Sequence, residues 1–363
     1  MKVSIEECQS YEADSVRSAI DSCLRAIGFE VPSRKKVLIK PNVLSQHSPN
    51  EAITTHPEIV GALIDIFIEK GCEVFVGDSS ATCRRGGTCR ALDVSGIAAI
   101  AKGKGAKTLN LESVPVRMVR DGSALIYKEL EISGAVFDAD LVVNACKMKT
   151  HTLMRYTGGV KNLLGTIPGG RKQQLHALAP SPRDFANVLV DIYKNVMPSL
   201  TVMDAVVGLE GNGPGKAGRP KKTGLILASK SAPALDFVAS NIMGFDPMDV
   251  PTNRACVERG LVDPDEIEII GKFRVVRYRK PVGVPAMSKR LVGWGIKIQS
   301  RLPSVIEDKC VKCGLCAGVC PANAITMSPY PVIDAKKCIS CYCCHESCPK
   351  AAIRLKMRGP FSK

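Results

Sequence analysis

Two cysteine motifs near the C-terminal end constrain the fold of this chain more than any other feature. Cysteines stand at 310, 313, 316 and 320 before Pro321, and the same spacing returns at 338, 341, 344 and 348 before Pro349. Three closely spaced thiolates wrap one four-iron, four-sulfur cube, while the fourth points away and ligates a neighbouring cube. The spacing therefore predicts two [4Fe–4S] clusters that exchange their last ligand. The predicted ligands are Cys310, Cys313, Cys316 and Cys348 for the first cluster and Cys338, Cys341, Cys344 and Cys320 for the second.

Zinc is the alternative for paired CxxC motifs. A zinc site takes four ligands, however, and does not require three cysteines at successive CxxC spacings followed by a fourth cysteine before proline. From Glu307 to about Lys356 the segment resembles bacterial-type ferredoxins with two four-iron clusters. The resemblance implies a small C-terminal α+β domain that moves single electrons. Cys343 stands outside the repeat, and we expect it to point into the core of this domain as a small hydrophobic side chain.

The remaining composition indicates an ordered globular chain. Its 363 residues are enough for two or three domains with a buried core, and ten of the 16 cysteines follow position 255, which favours metal binding over disulfides. The N-terminal segment has no basic region followed by an apolar run, and no uncharged apolar stretch approaches about 18 residues. We therefore expect a cytoplasmic protein without a signal peptide or a transmembrane segment.

The charge of the chain indicates acidic partners. Its 50 Lys and Arg residues against 35 Asp and Glu residues give a formal net charge of +15. Such a balance favours a phosphorylated or carboxylated small molecule, an acidic redox protein or nucleic acid. Nucleic acid is the least favoured of the three, because aromatic residues make up only 5% of the chain and offer few platforms for base stacking.

The first 270 residues alternate between strand-like and helix-like patterns, which predicts an α/β fold with a mostly parallel sheet and helices on both faces. The expected strands cover residues 36–40, 73–77, 140–144, 200–207 and 223–229, and the expected helices cover 56–70, 94–104, 183–196 and 232–243. A hairpin is expected over residues 114–132. Thr55 is the expected N-cap of the helix that begins at His56.

We divide the chain into an α/β domain at residues 1–270, a basic linker at 271–303 and a ferredoxin-type domain at 304–363. The linker has nine Lys or Arg residues and no acidic residue, and its part from Ser288 to Leu302 is compatible with a basic amphipathic helix around Trp294. Two interpretations stay open. The linker has a solvated charged face with Trp294 in a domain interface, or it docks an acidic redox partner or a membrane face.

Polar residues of the α/β domain follow the predicted strands and should meet in one crevice, because ligands bind at the carboxyl ends of strands in open α/β sheets. The densest segment, Lys149 to His176, combines glycine pairs with basic side chains, which predicts a site for a phosphate or carboxylate. It lacks the ending of a P-loop. A glycine-rich structural turn with solvated basic residues is the alternative. The candidate catalytic residues are Lys149, His151, His176 and Asp204, and the candidate substrate-binding residues are Lys40, Asn42, Asp78, Ser79, Lys161, Asn162 and Arg171.

Residues 35–260 resemble one family, known as domain of unknown function 362, that is often fused to a ferredoxin module. The resemblance is carried by IKPNV, the helix start at His56-Pro57, GDSS, KMKTH, TGGVKNLLGTIPG and DAVVGLEGNGPGKAG. It implies the same two-part architecture here, while the chemistry of the family is poorly defined. The positions that match its motif residues are Lys149, His151, Lys161, Asn162, His176, Asp204 and Asp236.

Our leading hypothesis is an iron–sulfur protein that delivers low-potential electrons to an anionic substrate or cofactor bound in the α/β domain, as a reductase would. In it His151 or His176 donates a proton, and Lys149, Lys161 and Arg171 hold the anion. One alternative is a non-catalytic ferredoxin carrier with a large partner-docking domain, and another is a nucleic-acid-associated iron–sulfur protein.

Three further cysteines stand in or beside the predicted crevice segments. Cys83 and Cys89 flank a basic loop, and Cys146 precedes the KMKTH motif. Basic neighbours lower thiol pKa values, so these residues are either redox-active thiols or ordinary loop and core cysteines.

Overall fold

The computed structural model describes residues 1–81, 86–282 and 301–357. The strands of the α/β part are β1 (Lys2–Glu7), β2 (Lys36–Pro41), β3 (Glu73–Asp78), β4 (Lys107–Asn110), β5 (Val116–Arg120), β6 (Glu129–Ser133), β7 (Leu141–His151), β8 (Arg155–Thr157), β9 (Leu200–Gly211), β10 (Gly218–Ser229) and β11 (Glu268–Gly271). Its helices are α1 (Ala13–Ala26), α2 (Pro57–Ile68), α3 (Gly87–Val94), α4 (Ile97–Gly103), α5 (Ala135–Asp138), α6 (Gly159–Asn162), α7 (Arg171–Leu178), α8 (Pro182–Val196), α9 (Ala232–Ile242) and α10 (Pro251–Glu258).

One large sheet forms the body of the protein, with the strand order β11-β1-β10-β9-β7-β2-β3-β4 and with β8 paired to β7. The pairs β9–β7, β7–β2, β2–β3 and β3–β4 are parallel, whereas β10 runs antiparallel to both of its neighbours. The prediction of a mostly parallel α/β sheet is therefore confirmed. Strands β5 and β6 form the predicted hairpin as a separate antiparallel pair.

Helices cover both faces of this sheet. Ile20 of α1 and Leu63 of α2 are fully buried in the core on one face, and Leu189 of α8 and Leu235 of α9 are fully buried in the core on the other. Helix α8 shows why these segments are helical, because its apolar residues fill a broad buried face while Arg183, Asn187 and Lys194 stay at least partly accessible on the outer side. The two cores fix the strands whose ends build the candidate site.

Three local predictions differ from the structure. The N-cap of α2 is His56, whose ring accepts the backbone N–H of Glu58, and Thr55 Oγ1 instead donates to the carbonyl of Ala145 at 2.8 Å. The helix expected over 94–104 corresponds to α4 and begins only at Ile97, because Gly96 before it adopts a positive φ of 76° and Val94 ends the separate helix α3. Strand β7 continues to His151, well beyond the expected end at residue 144.

Residues 301–357 contain four short strands and two single-turn α-helices. They are β12 (Arg301–Val305), α11 (Leu315–Gly318), β13 (Ile325–Ser328), β14 (Tyr330–Ile333), α12 (Cys343–Glu346) and β15 (Ile353–Met357). Strands β12 and β15 pair with each other, as do β13 and β14, in the antiparallel sense. This arrangement agrees with a small α+β domain.

The basic linker lies largely outside the described residues. The expected amphipathic helix and Trp294 fall in the 283–300 gap, and its last two residues, Arg301 and Leu302, lie in strand β12 instead, where pairing with β15 excludes a helix. Within the described ranges, no helix has the length and apolar character needed to cross a membrane.

Candidate functional site

Two cavities in the C-terminal domain are lined by the eight motif cysteines. Cys310, Cys313, Cys316 and Cys348 line the first cavity, and Cys320, Cys338, Cys341 and Cys344 line the second. The fourth cysteine of each motif thus lies with the first three cysteines of the other. This crossed grouping is the one that the spacing predicts for two cubes.

The surroundings of these sulfurs suit iron–sulfur clusters. The backbone N–H of Ala324 donates to Cys320 Sγ at 3.3 Å, and that of Ala352 donates to Cys348 Sγ at 3.2 Å. Hydrogen bonds to sulfur stabilise a thiolate and tune a bound cluster. Across residues 1–81, 86–282 and 301–357, no group of three or more Cys, His, Asp or Glu side chains is arranged to hold a single metal ion. Cys343 lines the second cavity and packs with Val319 in a small apolar cluster.

The predicted crevice exists at the carboxyl ends of β2, β3 and β7. Two of its basic residues, however, come from a strand and not from the loop that was expected to follow it. Lys149 and His151 lie within β7 rather than after it, because β7 continues to pair with β8 and β9. Lys147, Lys149 and His151 alternate with Cys146 and Met148, so the polar and apolar residues occupy opposite faces. The candidate residues that line the crevice are Asn42, Asp78, Ser79, Lys149, His151, Lys161 and Asn162.

A hydrogen-bond chain fixes Lys149 at the floor of the crevice. Its ammonium donates to Asn42 Oδ1 at 2.6 Å and to the carbonyl of Ile53 at 2.9 Å, and the Asn42 amide donates to Asn162 Oδ1 at 3.0 Å. Burial, together with the charges of Lys161 and Lys147, lowers the pKa of Lys149 to about 7. Lys149 can therefore gain or lose a proton near neutral pH.

Lys40 and Asp78 form a buried ion pair under the crevice, with Nζ and Oδ1 2.8 Å apart. The other Asp78 oxygen accepts the backbone N–H of Val43 at 2.7 Å. Gly165 covers this pair so closely that a Cβ there would lie 2.0 Å from Asp78 Oδ1. The two charges are thus satisfied within the protein, and they shape the wall of the crevice.

Ser79 belongs to a second cluster at the rim of the crevice. Lys172 donates to Ser79 Oγ at 2.7 Å and to the carbonyl of Ser80 at 3.0 Å, and Ser79 Oγ donates to Glu112 at 3.0 Å. This cluster ties α7 to the loop that follows β3. The sequence prediction named Ser79 but did not identify Lys172 as its hydrogen-bond partner, because the two residues become neighbours only in the folded chain.

His151 is oriented by the backbone and faces the iron–sulfur domain. Its Nδ1 accepts the backbone N–H groups of Leu153 at 3.2 Å and Met154 at 3.3 Å, so the ring proton of the neutral imidazole lies on Nε2. Nε2 lies 3.3 Å from Oε1 of Glu346. Burial holds the pKa of His151 well below its ordinary value, and burial raises the pKa of Glu346 to about 7 against the opposing charges of Lys161 and Lys149.

Glu346 is a site residue that the sequence prediction missed. It stands between Cys344, which lines the second cavity, and Cys348, which lines the first. Its backbone packs on the loop after β9, where a Cβ on Gly215 would lie 2.5 Å from the Glu346 carbonyl oxygen. One residue thus connects the segment shared by both cysteine sets to the crevice.

Several buried polar atoms at this junction have no hydrogen-bond partner within the described parts of the chain, and the 3.3 Å approach of His151 Nε2 to Glu346 Oε1 is a close contact without the geometry of a hydrogen bond. They are His151 Nε2, Thr152 Oγ1, His176 Nδ1, His345 Nε2 and Glu346 Oε1. Native proteins rarely leave buried polar groups without partners. Their concentration here indicates a place for water or for the polar groups of a ligand.

Two predicted members lie apart from the crevice, so the expectation that all candidate residues converge is wrong. Asp204 is surrounded by the Lys147 ammonium at 2.7 Å, the Tyr11 hydroxyl at 2.8 Å and the backbone N–H of His56 at 2.9 Å. Arg171 pairs with Glu131 and lines a different cavity beside the β5–β6 hairpin. Asp204 is paired with Lys147 and Arg171 with Glu131, and neither partner lines the crevice.

His176 lies beside the crevice without lining it. Its ring stacks on Phe185 with centroids 4.0 Å apart, and burial lowers its pKa to about 3. Lys161 lies over the same phenyl ring, with Nζ 5.8 Å from the centroid. His176 therefore packs behind Lys161 as a neutral side chain.

The additional cysteines fall into different environments. Cys146 is fully buried in the core, and burial raises its pKa well above the ordinary value, which favours the core interpretation. Cys89 is exposed on α3. Cys83 lies outside the described residues.

Comparisons with known proteins identify both parts of the chain. Residues 37–241 match the family described as domain of unknown function (DUF362), and residues 303–326 match the 4Fe-4S binding domain. The chain is 34% identical over 269 residues to a thylakoid-associated protein of Synechocystis sp., and the match covers 71% of this chain and 79% of that protein.

Two solved structures are similar to part of the chain at a low level. The lactate racemase apoprotein of Thermoanaerobacterium thermosaccharolyticum has 16% identity and a TM-score of 0.38, over 55% of this chain and 49% of that one. A protein of Thermotoga maritima has 12% identity and a TM-score of 0.36, over 59% of this chain and 55% of that one. The chain thus spans about half of each, and nothing about function follows from them. The match over more than half of its length shows that the chain belongs to the family of domain of unknown function (DUF362), here joined to a C-terminal domain that binds an iron–sulfur cluster.

Proposed function

We propose that this protein carries two [4Fe–4S] clusters and delivers single electrons at low potential to an anionic substrate or cofactor bound in the crevice of the α/β domain. The observation that carries the proposal is the contact of Glu346 with His151, 3.3 Å apart, because Glu346 lies in the segment that contributes cysteines to both cavities. Electron transfer and anion binding would then occur on opposite sides of the short segment between Cys344 and Cys348. The substrate is defined only by its negative charge.

Different residues of the crevice would have different roles in binding an anion. The Lys161 ammonium makes no hydrogen bond to any described residue, which leaves its donors for a ligand oxygen, and it is the best placed cation for that purpose. His151 offers the Nε2 proton as a second donor. Bound clusters would supply the electrons, and these side chains would orient the anion and stabilise negative charge that develops on it.

Lys149 is the group best suited to move a proton. A general acid works best when its pKa lies near the operating pH, and the pKa of Lys149 is lowered to about 7. His151 and His176, in contrast, are neutral imidazoles whose pKa values burial lowers. We therefore assign proton donation to Lys149 and anion orientation to Lys161 and His151.

The cellular setting follows from the ligand chemistry. Thiolates that hold iron need a reducing environment, so we propose a cytoplasmic protein that exchanges electrons with a redox partner. The basic net charge of +15 suits both an acidic partner and an anionic substrate.

The first prediction concerns Lys161. Replacing it with Met should weaken the binding of sulfate, used as a stable anion probe, by about 10–100-fold, because one charge-assisted hydrogen bond is lost. Isothermal titration calorimetry of anaerobically prepared protein measures this loss. Lys102→Met is the matched control, since Lys102 is exposed on α4, and it should leave sulfate affinity unchanged. Equal affinities in both variants would remove the crevice from the proposed function.

The second prediction concerns the pH dependence of anion binding. Lys149 is protonated below its pKa of about 7, so sulfate affinity should be highest at lower pH and fall by up to about tenfold per unit as the pH rises above 7. Sulfate keeps its charge throughout this range. In Lys149→Arg the side chain stays charged, and the fall between pH 6 and pH 8 should become shallower, leaving only the part due to Glu346, whose pKa is also about 7. A wild-type profile that is already flat would contradict the role of Lys149.

The carrier alternative makes a different prediction for the same variants. A protein that only docks a partner would bind no anion in the crevice, and Lys161→Met would change neither sulfate binding nor the reduction of any small molecule. The convergence of Lys149, Lys161 and His151 on one cavity favours the reductase-type function.

A further inference from the structure

The second cysteine cavity faces the α/β domain. Tyr342 lines this cavity, is only 2% exposed and belongs to the main hydrophobic core that β7, β9, α8 and α9 build. Cys343 lines the same cavity and begins α12, the turn that ends at Glu346 beside His151. The lining of the second cavity is thus packed against the α/β domain and leads through one turn to the Glu346–His151 contact.

The first cysteine cavity has more exposed lining residues than the second. Cys313, which lines it, is exposed, whereas the described ligands of the second cavity are buried or half-buried. Val311 lines the first cavity as well and is 57% exposed. This cavity therefore offers the more accessible thiolate to a molecule in solution.

The rim of the first cavity combines an apolar tip with basic side chains. Lys309, Lys312 and Lys350 are exposed around it, and Lys312 is held beside the loop by the Tyr330 ring, 4.5 Å from its centroid. The rim has fewer acidic groups, Glu307 and Asp308. An apolar centre with a charged rim is the usual anatomy of a transient protein interface. We call Lys309, Val311, Lys312, Cys313 and Lys350 the entry rim.

We propose that the entry rim docks an acidic one-electron redox protein, and that electrons enter at the first cysteine set and reach the crevice through the second. This inference rests on the proposed function for its direction. The reduced donor would lose one electron, which the group held by Cys310, Cys313, Cys316 and Cys348 would accept and pass on to the group held by Cys320, Cys338, Cys341 and Cys344. No atom moves between the two proteins. The net charge of +15 would steer an acidic donor toward the chain, and the entry rim would fix its position.

The test compares two double charge reversals in the holoprotein, with reduced flavodoxin as an acidic one-electron donor. Lys312→Glu with Lys350→Glu alters the entry rim. Lys336→Glu with Lys337→Glu makes the same change in net charge at exposed positions before Cys338 of the second set. The dissociation constant of the flavodoxin complex and the rate of electron transfer are both measured at low and at high ionic strength.

We expect the entry-rim variant to raise the dissociation constant at least about tenfold at low ionic strength, with the difference shrinking in high salt, and to slow electron transfer from flavodoxin but not from dithionite. The control variant should change the constant less than about threefold. An equal effect of the two variants, a larger effect of the control or no effect of either would overturn the proposal. If the entry-rim variant loses iron, Lys312→Gln with Lys350→Gln replaces it, and a smaller loss of affinity is then expected. Flavodoxin binding does not depend on the crevice, so this result stands apart from the sulfate test of Lys161.

Discussion

Replacement of Cys348 with Ala should remove the cluster of the first motif, although Cys348 belongs to the second. Iron content should fall from about eight atoms to about four per chain, since a cube that lacks one thiolate is lost or degraded. The expectation follows from the first cavity, where Cys348 lies with Cys310, Cys313 and Cys316. Iron and sulfide analysis, with paramagnetic resonance of dithionite-reduced protein under anaerobic conditions, measures the change.

The crossed arrangement is tested by comparing the paramagnetic signals that remain in different cysteine variants. Cys348→Ala should leave the same paramagnetic signal as Cys316→Ala, and Cys320→Ala should match Cys344→Ala. Cys343→Ala is the control, because Cys343 lines the second cavity but stands outside the repeat, and it should keep about eight irons. A match between Cys348→Ala and Cys344→Ala would show that each motif holds its own cluster. Zinc in the anaerobic wild-type protein would end the redox account.

The grouping of the eight motif cysteines around two cavities was predictable because its information is local. Three cysteines within one loop can reach a common point whatever the rest of the chain does, and the outward direction of the fourth follows from the same loop. The parallel sheet was predictable for a related reason, because β2 and β3 are short apolar runs separated by an amphipathic helix.

The true end of β7 was harder to predict, although a signal existed. From Cys146 to Lys149 the chain alternates apolar and polar residues, which is the pattern of a strand with one polar face. Buried lysines on that face contradict the usual preference of lysine for water. They are tolerated because partners arrive from distant segments, such as Asp204 for Lys147 and Asn42 for Lys149.

Glu346 had no signal of its own in the sequence. A glutamate between two cluster cysteines is ordinarily a solvated residue, and its burial here results from the docking of α12 against the loop after β9. The same limit applies to Arg171 and Asp204, whose nearest opposite charges, Glu131 and Lys147, become neighbours only in the folded chain. The packing of the folded chain determines which oppositely charged residues become neighbours when they are far apart in sequence. A single sequence does not reveal that packing.

Asp236 is the buried carboxylate on which the glycine-rich segment of the crevice depends. It is 1% exposed, and its oxygens accept the backbone N–H groups of Gly159 at 2.6 Å and Val160 at 2.9 Å and the hydroxyl of Tyr156 at 2.9 Å. These bonds hold the first turn of α6. That helix carries Lys161 and Asn162 into the crevice.

Replacement of Asp236 with Ala should therefore cost stability and function together. Three buried donors lose their acceptor, which should lower the free energy of unfolding by about 3–5 kcal/mol. The melting temperature, followed by circular dichroism of anaerobic protein, should fall by roughly 6–15 °C. Asp236→Asn keeps one acceptor oxygen and should lose less, while Asp93→Ala, an exposed change on α3, should have little effect. Sulfate binding should weaken in Asp236→Ala even below its melting temperature, because Lys161 is no longer held in place. Unchanged stability in this variant would mean that the turn before α6 is held by its neighbours and that Asp236 does not position the crevice.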